Sequence, residues 1–168
     1  MQFSLVAVYL ANVLLGLLSL SILPERVVSH FSAAGVPKSW TDSSANFVLM
    51  LALHSATFLL FFGLPRIVKE IPRDLLSIPN KDYWMRGARF AEFNRQITLR
   101  FHQYGLATLV FFLGVGGLLL EANLGEQIQL RMGLFWLFVG AFLIYTVVWV
   151  VQLFGTFGLP HEAPASEL

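Results

Sequence analysis

There is no cysteine among the 168 residues, so a disulfide, a thiolate metal site and a cysteine nucleophile are all excluded. Charge is nearly as scarce: Asp, Glu, Lys and Arg make up 12% of the chain, against roughly 25% in soluble domains. No phosphate-cradling glycine loop, nucleophile elbow or pair of carboxylates falls within an apolar run. What is abundant is hydrophobic side chain, 57% of residues, with a mean hydropathy of +0.70. A water-soluble core does not need that much apolar sequence, so the chain reads as one all-α integral membrane domain over 1–158.

The net charge of +1 conceals a local asymmetry. Arg66, Lys69, Arg73, Lys81, Arg86, Arg89, Arg95 and Arg100 lie in the segment 65–100, and only Arg26, Lys38 and Arg131 lie elsewhere. A basic segment between two apolar pairs marks the cytoplasmic side of a membrane protein. Four spans follow, at about 3–23, 46–64, 100–120 and 131–157, each long enough at about 1.5 Å per residue to cross a hydrocarbon core of about 30 Å. Both termini are then cytoplasmic, and the loops 23–45 and 121–130 face outward. The predicted location is the inner membrane of a bacterial cell, with multiple passes. The first apolar run is too long for a signal-peptide core and no small-residue cleavage pattern follows it, so a retained span is expected.

Within the outer loop, Val27, Val28 and Phe31 can share one face of a short interfacial helix, with Gly35 as its C-terminal cap and Trp40 at the membrane–water boundary. Thr41, Asp42, Ser43 and Ser44 are candidate caps for the next helix. Pro65 is expected to close the second span. From Tyr83 on, apolar residues at Phe90, Phe93, Ile97 and Phe101 recur at helical spacing, which predicts a cytoplasmic amphipathic helix with its apolar face in lipid. Residues 159–168 are polar and expected to be disordered.

Two stretches carry a resemblance. Leu23-Pro24-Glu25-Arg26-Val27, then Ser29-His30-Phe31, Gly35 and Trp40, resembles a bacterial and archaeal membrane family known as domain of unknown function 1648. Ile78-Pro79-Asn80-Lys81-Asp82-Tyr83-Trp84 is similar to a second motif of the same group. The immunity protein against the sporulation-delaying toxin carries a similar first module. The resemblance covers the first hairpin of spans and the basic loop, and it implies a helical membrane protein with no agreed chemistry.

Three groups of residues are candidates for function. The first is the outer loop, where Glu25, Arg26, His30, Phe31, Gly35 and Trp40, with Lys38 and Asp42 nearby, offer a surface for a peptide or polar ligand. The second is a set near mid-membrane: Asn12, His54, Ser55, Thr108, Tyr145 and Thr146. A polar group in hydrocarbon needs a partner, so these are expected to face inward and Asn12 and His54 to bond each other or the rest of the set. Such bonds hold helices together at about 0.6–2 kcal/mol each, and the same groups could bind a ligand or relay protons. The third is the cytoplasmic motif Pro79, Asn80, Lys81, Asp82, Tyr83 and Trp84. His102, Gln103 and Gln152 read as a solvated helix end.

The four histidines do not suggest a metal site. His54 and His102 differ in depth by about 12 Å along their helices, whereas metal ligands converge on one ion at about 2.0–2.2 Å. No cofactor is expected. The basic loop suits anionic lipid head groups; with Glu70, Asp74, Asp82 and Glu92 interspersed it does not suit nucleic acid. The favoured function is a non-enzymatic membrane protein in a ligand- or peptide-sensing or immunity-type role through the 23–45 loop. The alternative is a small intramembrane enzyme or transporter component that uses the mid-membrane polar groups.

Overall fold

The computed structural model describes residues 1–158; the tail 159–168 lies outside the described residues. Four helices are long and apolar enough to cross a membrane: α1 (Gln2–Ile22), α2 (Ser43–Glu70), α4 (Arg89–Leu124) and α5 (Met132–Thr156). α1, α2 and α4 pack pairwise into a triangle, and α5 lies chiefly against α4. Small residues set the close approaches. Gly105 of α4 sits against the Phe61 ring of α2, and Gly16 of α1 against Phe47 of α2, so a β-carbon at either position would meet an aromatic ring.

The 23–45 loop is not a helix. It is an antiparallel hairpin of β1 (Arg26–Phe31) and β2 (Pro37–Asp42), with Arg26 opposite Asp42 and Val28 opposite Trp40. The pair Val27-Val28 and the flanking Phe31, Trp40 and Thr41 favour a pleated surface. Gly35, at φ 78°, supplies the left-handed residue of the turn, where Ser32 N–H donates to the Val36 carbonyl at 2.8 Å. The glycine thus closes a hairpin instead of capping a helix. Both valines are buried. The start of α2 is held by a backbone bond, Ser43 N–H to the Glu25 carbonyl at 2.8 Å, and no side-chain cap forms.

α2 also runs on through Pro65 to Glu70. Proline removes the donor that would have reached the Phe61 carbonyl; in the same turn the Arg66 guanidinium donates to the Phe62 carbonyl and lies over the Phe62 ring, 4.2 Å from its centre. The helix outlasts the expected stop by five residues (65 against 70).

α4 is 36 residues long, about 54 Å, well beyond the thickness of a hydrocarbon core of about 30 Å. Its first turns carry the expected apolar stripe, but that stripe faces protein and not lipid. Phe93 and Ile97 are buried with Leu76, Trp84 and Phe157 in one cluster, which Phe90 and Phe101 flank. The connection from α2 reaches this cluster through a 3-10 turn (Arg73–Leu75) and a single helical turn, α3 (Lys81–Trp84). The Trp84 indole N–H and the Asn80 side-chain amide both donate to the Phe157 carbonyl, at 3.1 and 3.0 Å. The motif at 78–84 is thereby a clasp on the end of α5.

Candidate ligand-binding cavity

The mid-membrane polar residues do not form one cluster. Asn12 is buried, and its side-chain N–H groups donate to the Val8 carbonyl of its own helix at 2.9 Å and to the Leu109 carbonyl of α4 at 3.0 Å. Ser55 bonds Tyr9 of α1 at 2.9 Å, with the Tyr9 ring stacked on Phe58 at 4.6 Å. On the other side of α4, Thr146 of α5 lies 3.2 Å from the Tyr104 hydroxyl, and the Tyr145 ring is stacked near Tyr104. The Thr108 hydroxyl only returns to the Tyr104 carbonyl at 2.9 Å. Ser55 and Tyr9 thus join α1 to α2, Asn12 joins α1 to α4, and Thr146 and Tyr104 join α4 to α5.

The expected Asn12–His54 bond is absent. Among the described residues His54 has no hydrogen-bond partner; its ring tilts against Phe112 with centres 5.2 Å apart. The two side chains do lie at the same level. The Tyr9–Ser55 bond aligns α1 with α2. Asn12 is three residues beyond Tyr9 and His54 one before Ser55, which places them within about 3 Å along the helix axes. What lies between them is space.

A cavity of about 350 Å³ opens between α1, α2 and α4 on the hairpin side of this level. Asn12, His54, Phe111 and Phe112 line its inner end, and Leu23, Ser43 and Asn123 line it near the hairpin. Val27, Val28 and Ser29 of β1 form the roof. No Asp, Glu, Lys or Arg contributes to the lining. The volume falls within the range of small-molecule pockets, about 300–1,000 Å³, which are mostly apolar with a few placed polar groups.

The roof is latched. Asn123 of α4 accepts the Val28 N–H at 2.8 Å and returns its own amide to the Leu119 carbonyl at 2.9 Å. At the hairpin tip the Gly35 carbonyl accepts the Leu130 N–H at 2.9 Å, and Phe31 packs on Leu118, Ala122 and Leu130.

The structure separates the residues that the sequence suggests as a ligand surface. Glu25, Arg26, His30 and Trp40 are exposed on the hairpin, whereas Phe31 and Gly35 dock it to the bundle. None of the six lines the cavity. Ser43, Asn46 and Asn123 do; the sequence suggests Ser43 only as a helix cap, and neither asparagine stands out in it as a site residue. The available signal was polarity at the ends of apolar runs, Asn46 at one and Asn123 at another.

His102 also departs from expectation. It is buried and not solvated, its ring lies 6.1 Å from that of Phe62, and its Nε2 has no partner. Gln152 accepts from Arg100 at 2.8 Å, while Thr156 accepts from the same guanidinium at 2.7 Å and the Trp149 indole donates to the Arg100 carbonyl at 2.9 Å. That group ties α4 to α5. Among the described residues no three His, Asp or Glu side chains come together as a metal site.

No protein-family model matches the chain, and neither a curated protein nor a solved structure does.

Proposed function

We propose that this is a non-enzymatic, multi-pass protein of a bacterial inner membrane that takes up an apolar ligand in the cavity beneath its outer hairpin, in a sensing or immunity-type role. The observation that carries the reading is the cavity itself: about 350 Å³, without a charged lining residue, and roofed by the hairpin strand β1. A ligand entering it touches both the bundle and the hairpin. Occupancy is then communicated to the exposed outer surface formed by Glu25, Arg26, His30 and Trp40, where a peptide or protein partner would meet it.

The orientation belongs to the same proposal. Eight basic residues on the 65–100 side against three elsewhere support a cytoplasmic side for that segment and both termini. Exposed Lys69 and Arg86 then face the anionic inner leaflet. Membership in the family of domain of unknown function 1648 is supported by the residues of the hairpin and of the 78–84 clasp.

The test is ligand retention. Native mass spectrometry of the purified protein should show one small apolar molecule bound per chain. Val115→Trp fills the cavity and should abolish that adduct while the protein remains folded. An adduct unchanged in the variant, or none in the parent, would refute the reading.

A further inference from the structure

The hairpin has one edge closed and one edge open. Asn123 occupies the far edge of β1, where it pairs the Val28 N–H at 2.8 Å and the Val28 carbonyl at 3.4 Å. Those two groups therefore point away from β2. In an antiparallel ladder the residue opposite such a position also turns its own N–H and carbonyl away, and the residue opposite Val28 is Trp40. The bond from the Ser43 N–H to the Glu25 carbonyl at 2.8 Å fixes the same alternation at the other end of the strands. The Asp42 N–H, opposite Arg26, is thus turned outward as well.

β1 is the only strand beside β2. Lys38, Ser39, Trp40 and Asp42 are exposed, and among the described residues no backbone group outside the hairpin bonds the Trp40 N–H or carbonyl. An open strand edge is a template for another strand, and a lysine placed on it ordinarily repels one. Here the lysine has its complement four residues along. β2 reads Pro37-Lys38-Ser39-Trp40-Thr41-Asp42, and the period of two puts Lys38, Trp40 and Asp42 on one face. Turned end for end about Trp40, the strand sets Trp40 against Trp40 and Lys38 against Asp42, twice. The outward groups of the two Trp40 residues then bond each other. Every other antiparallel register loses both Lys–Asp pairs.

We propose that β2 pairs with β2 of a second copy of this chain, giving a four-stranded sheet in the order β1-β2-β2-β1 about a two-fold axis. The pairing closes on itself: Asn123 holds the outer edge of each β1, so no edge is left and the product is a dimer. Both copies sit the same way up in one bilayer, which puts the axis along the membrane normal. A strand that lies across that axis meets its own copy antiparallel, and β1 roofs the cavity crosswise in this way. So short a contact would be weak between proteins in solution, but confinement in one membrane raises the effective concentration of the partner. Neither the register nor its test depends on a ligand in the cavity.

Single cysteines in native membranes read the register, since the chain has none of its own. In the proposed pairing the α-carbons of Lys38 and the second copy's Asp42 lie about 5.5 Å apart, inside the disulfide range of about 4.4–6.8 Å. Two Lys38 residues, or two Asp42 residues, are four positions out of step and about 14 Å apart. Under mild oxidation Lys38→Cys alone and Asp42→Cys alone should stay monomeric, and the two coexpressed should cross-link to each other. Failure of the coexpressed pair to cross-link, equal cross-linking by each variant alone, or capture of a different protein in place of the second copy would overturn the proposal. Charge gives a second measurement. Lys38→Asp faces carboxylate with carboxylate at both pairs, so self-association, read by energy transfer between labelled chains in membranes, should weaken about tenfold. Asp42→Lys should do the same, and mixing the two variants should restore association. Unchanged association of Lys38→Asp would overturn the register.

Discussion

Asn123 of α4 accepts the Val28 N–H of β1 at 2.8 Å and donates back to the Val28 carbonyl at 3.4 Å, so one amide side chain pairs both backbone groups of a strand residue. The hairpin is joined to the bundle as though Asn123 were a third strand one residue long. This makes the roof of the cavity a separable part, held at few points.

Replacing Asn123 with Leu removes those bonds and leaves the buried Val28 N–H unpaired, a loss of about 1–3 kcal/mol. Hydrogen exchange should speed up at least tenfold across Arg26–Phe31 while α1 and α4 keep their protection. Unchanged exchange in the hairpin would show that the latch lies elsewhere.

Gly35→Ala acts on the same roof from its far side. The residue has φ 78°, and a β-carbon there would collide with the Leu130 carbonyl, which faces the turn. The strained backbone adds to the clash, so a loss of more than about 1 kcal/mol is expected. Gly133→Ala, where a β-carbon meets nothing within 4 Å, is the control. Thermal unfolding in detergent should separate the two.

The clasp at the opposite end predicts coupling. Trp84 and Asn80 donate to the one Phe157 carbonyl, which has two lone pairs to offer. Trp84→Phe and Asn80→Ala should each destabilise the protein by about 1 kcal/mol, and the double variant by more than their sum, because either donor alone keeps the carbonyl paired and only the double variant leaves it without a donor. Strict additivity in a denaturation cycle would contradict this arrangement.

The orientation can be read with single cysteines, since the chain has none of its own. Ser32→Cys at the hairpin turn should react with a membrane-impermeant thiol reagent on intact cells, and Ser77→Cys in the basic segment only after lysis. The reverse pattern would invert the topology.

Much of the fold was legible because a long apolar run has few alternatives: in hydrocarbon every backbone group must bond within its own helix. That is why four helices emerge close to where hydropathy places them, and why the stripe at Phe93 and Ile97 is helical. The same reasoning misjudged Pro65. A proline removes one backbone donor, here the partner of the Phe61 carbonyl, and in an apolar segment the helix runs on because every other backbone group still has to bond within it. It also misjudged the 23–45 loop, where the spacing of Val27, Val28 and Phe31 suits a helix as well as a strand. The choice between them was made by Asn123 and Leu130, about 95 residues downstream, which bond the strand and its turn.

By itself the sequence determined which residues avoid water, how many apolar helices they make, and where the positive charge gathers. These follow from transfer free energy and local hydrogen bonding, which act residue by residue. Tertiary structure alone decided which polar groups meet. Asn12 and His54 share a depth, as their positions predicted, yet they do not touch, because the α1–α2 contact is made by Tyr9 and Ser55 and the Asn12 amide is turned toward Leu109. Depth is one coordinate along a helix, whereas contact also requires rotation about its axis and the separation of its neighbours. Those are set by how the large and small side chains of three helices interlock, and that is what leaves a cavity between the two residues.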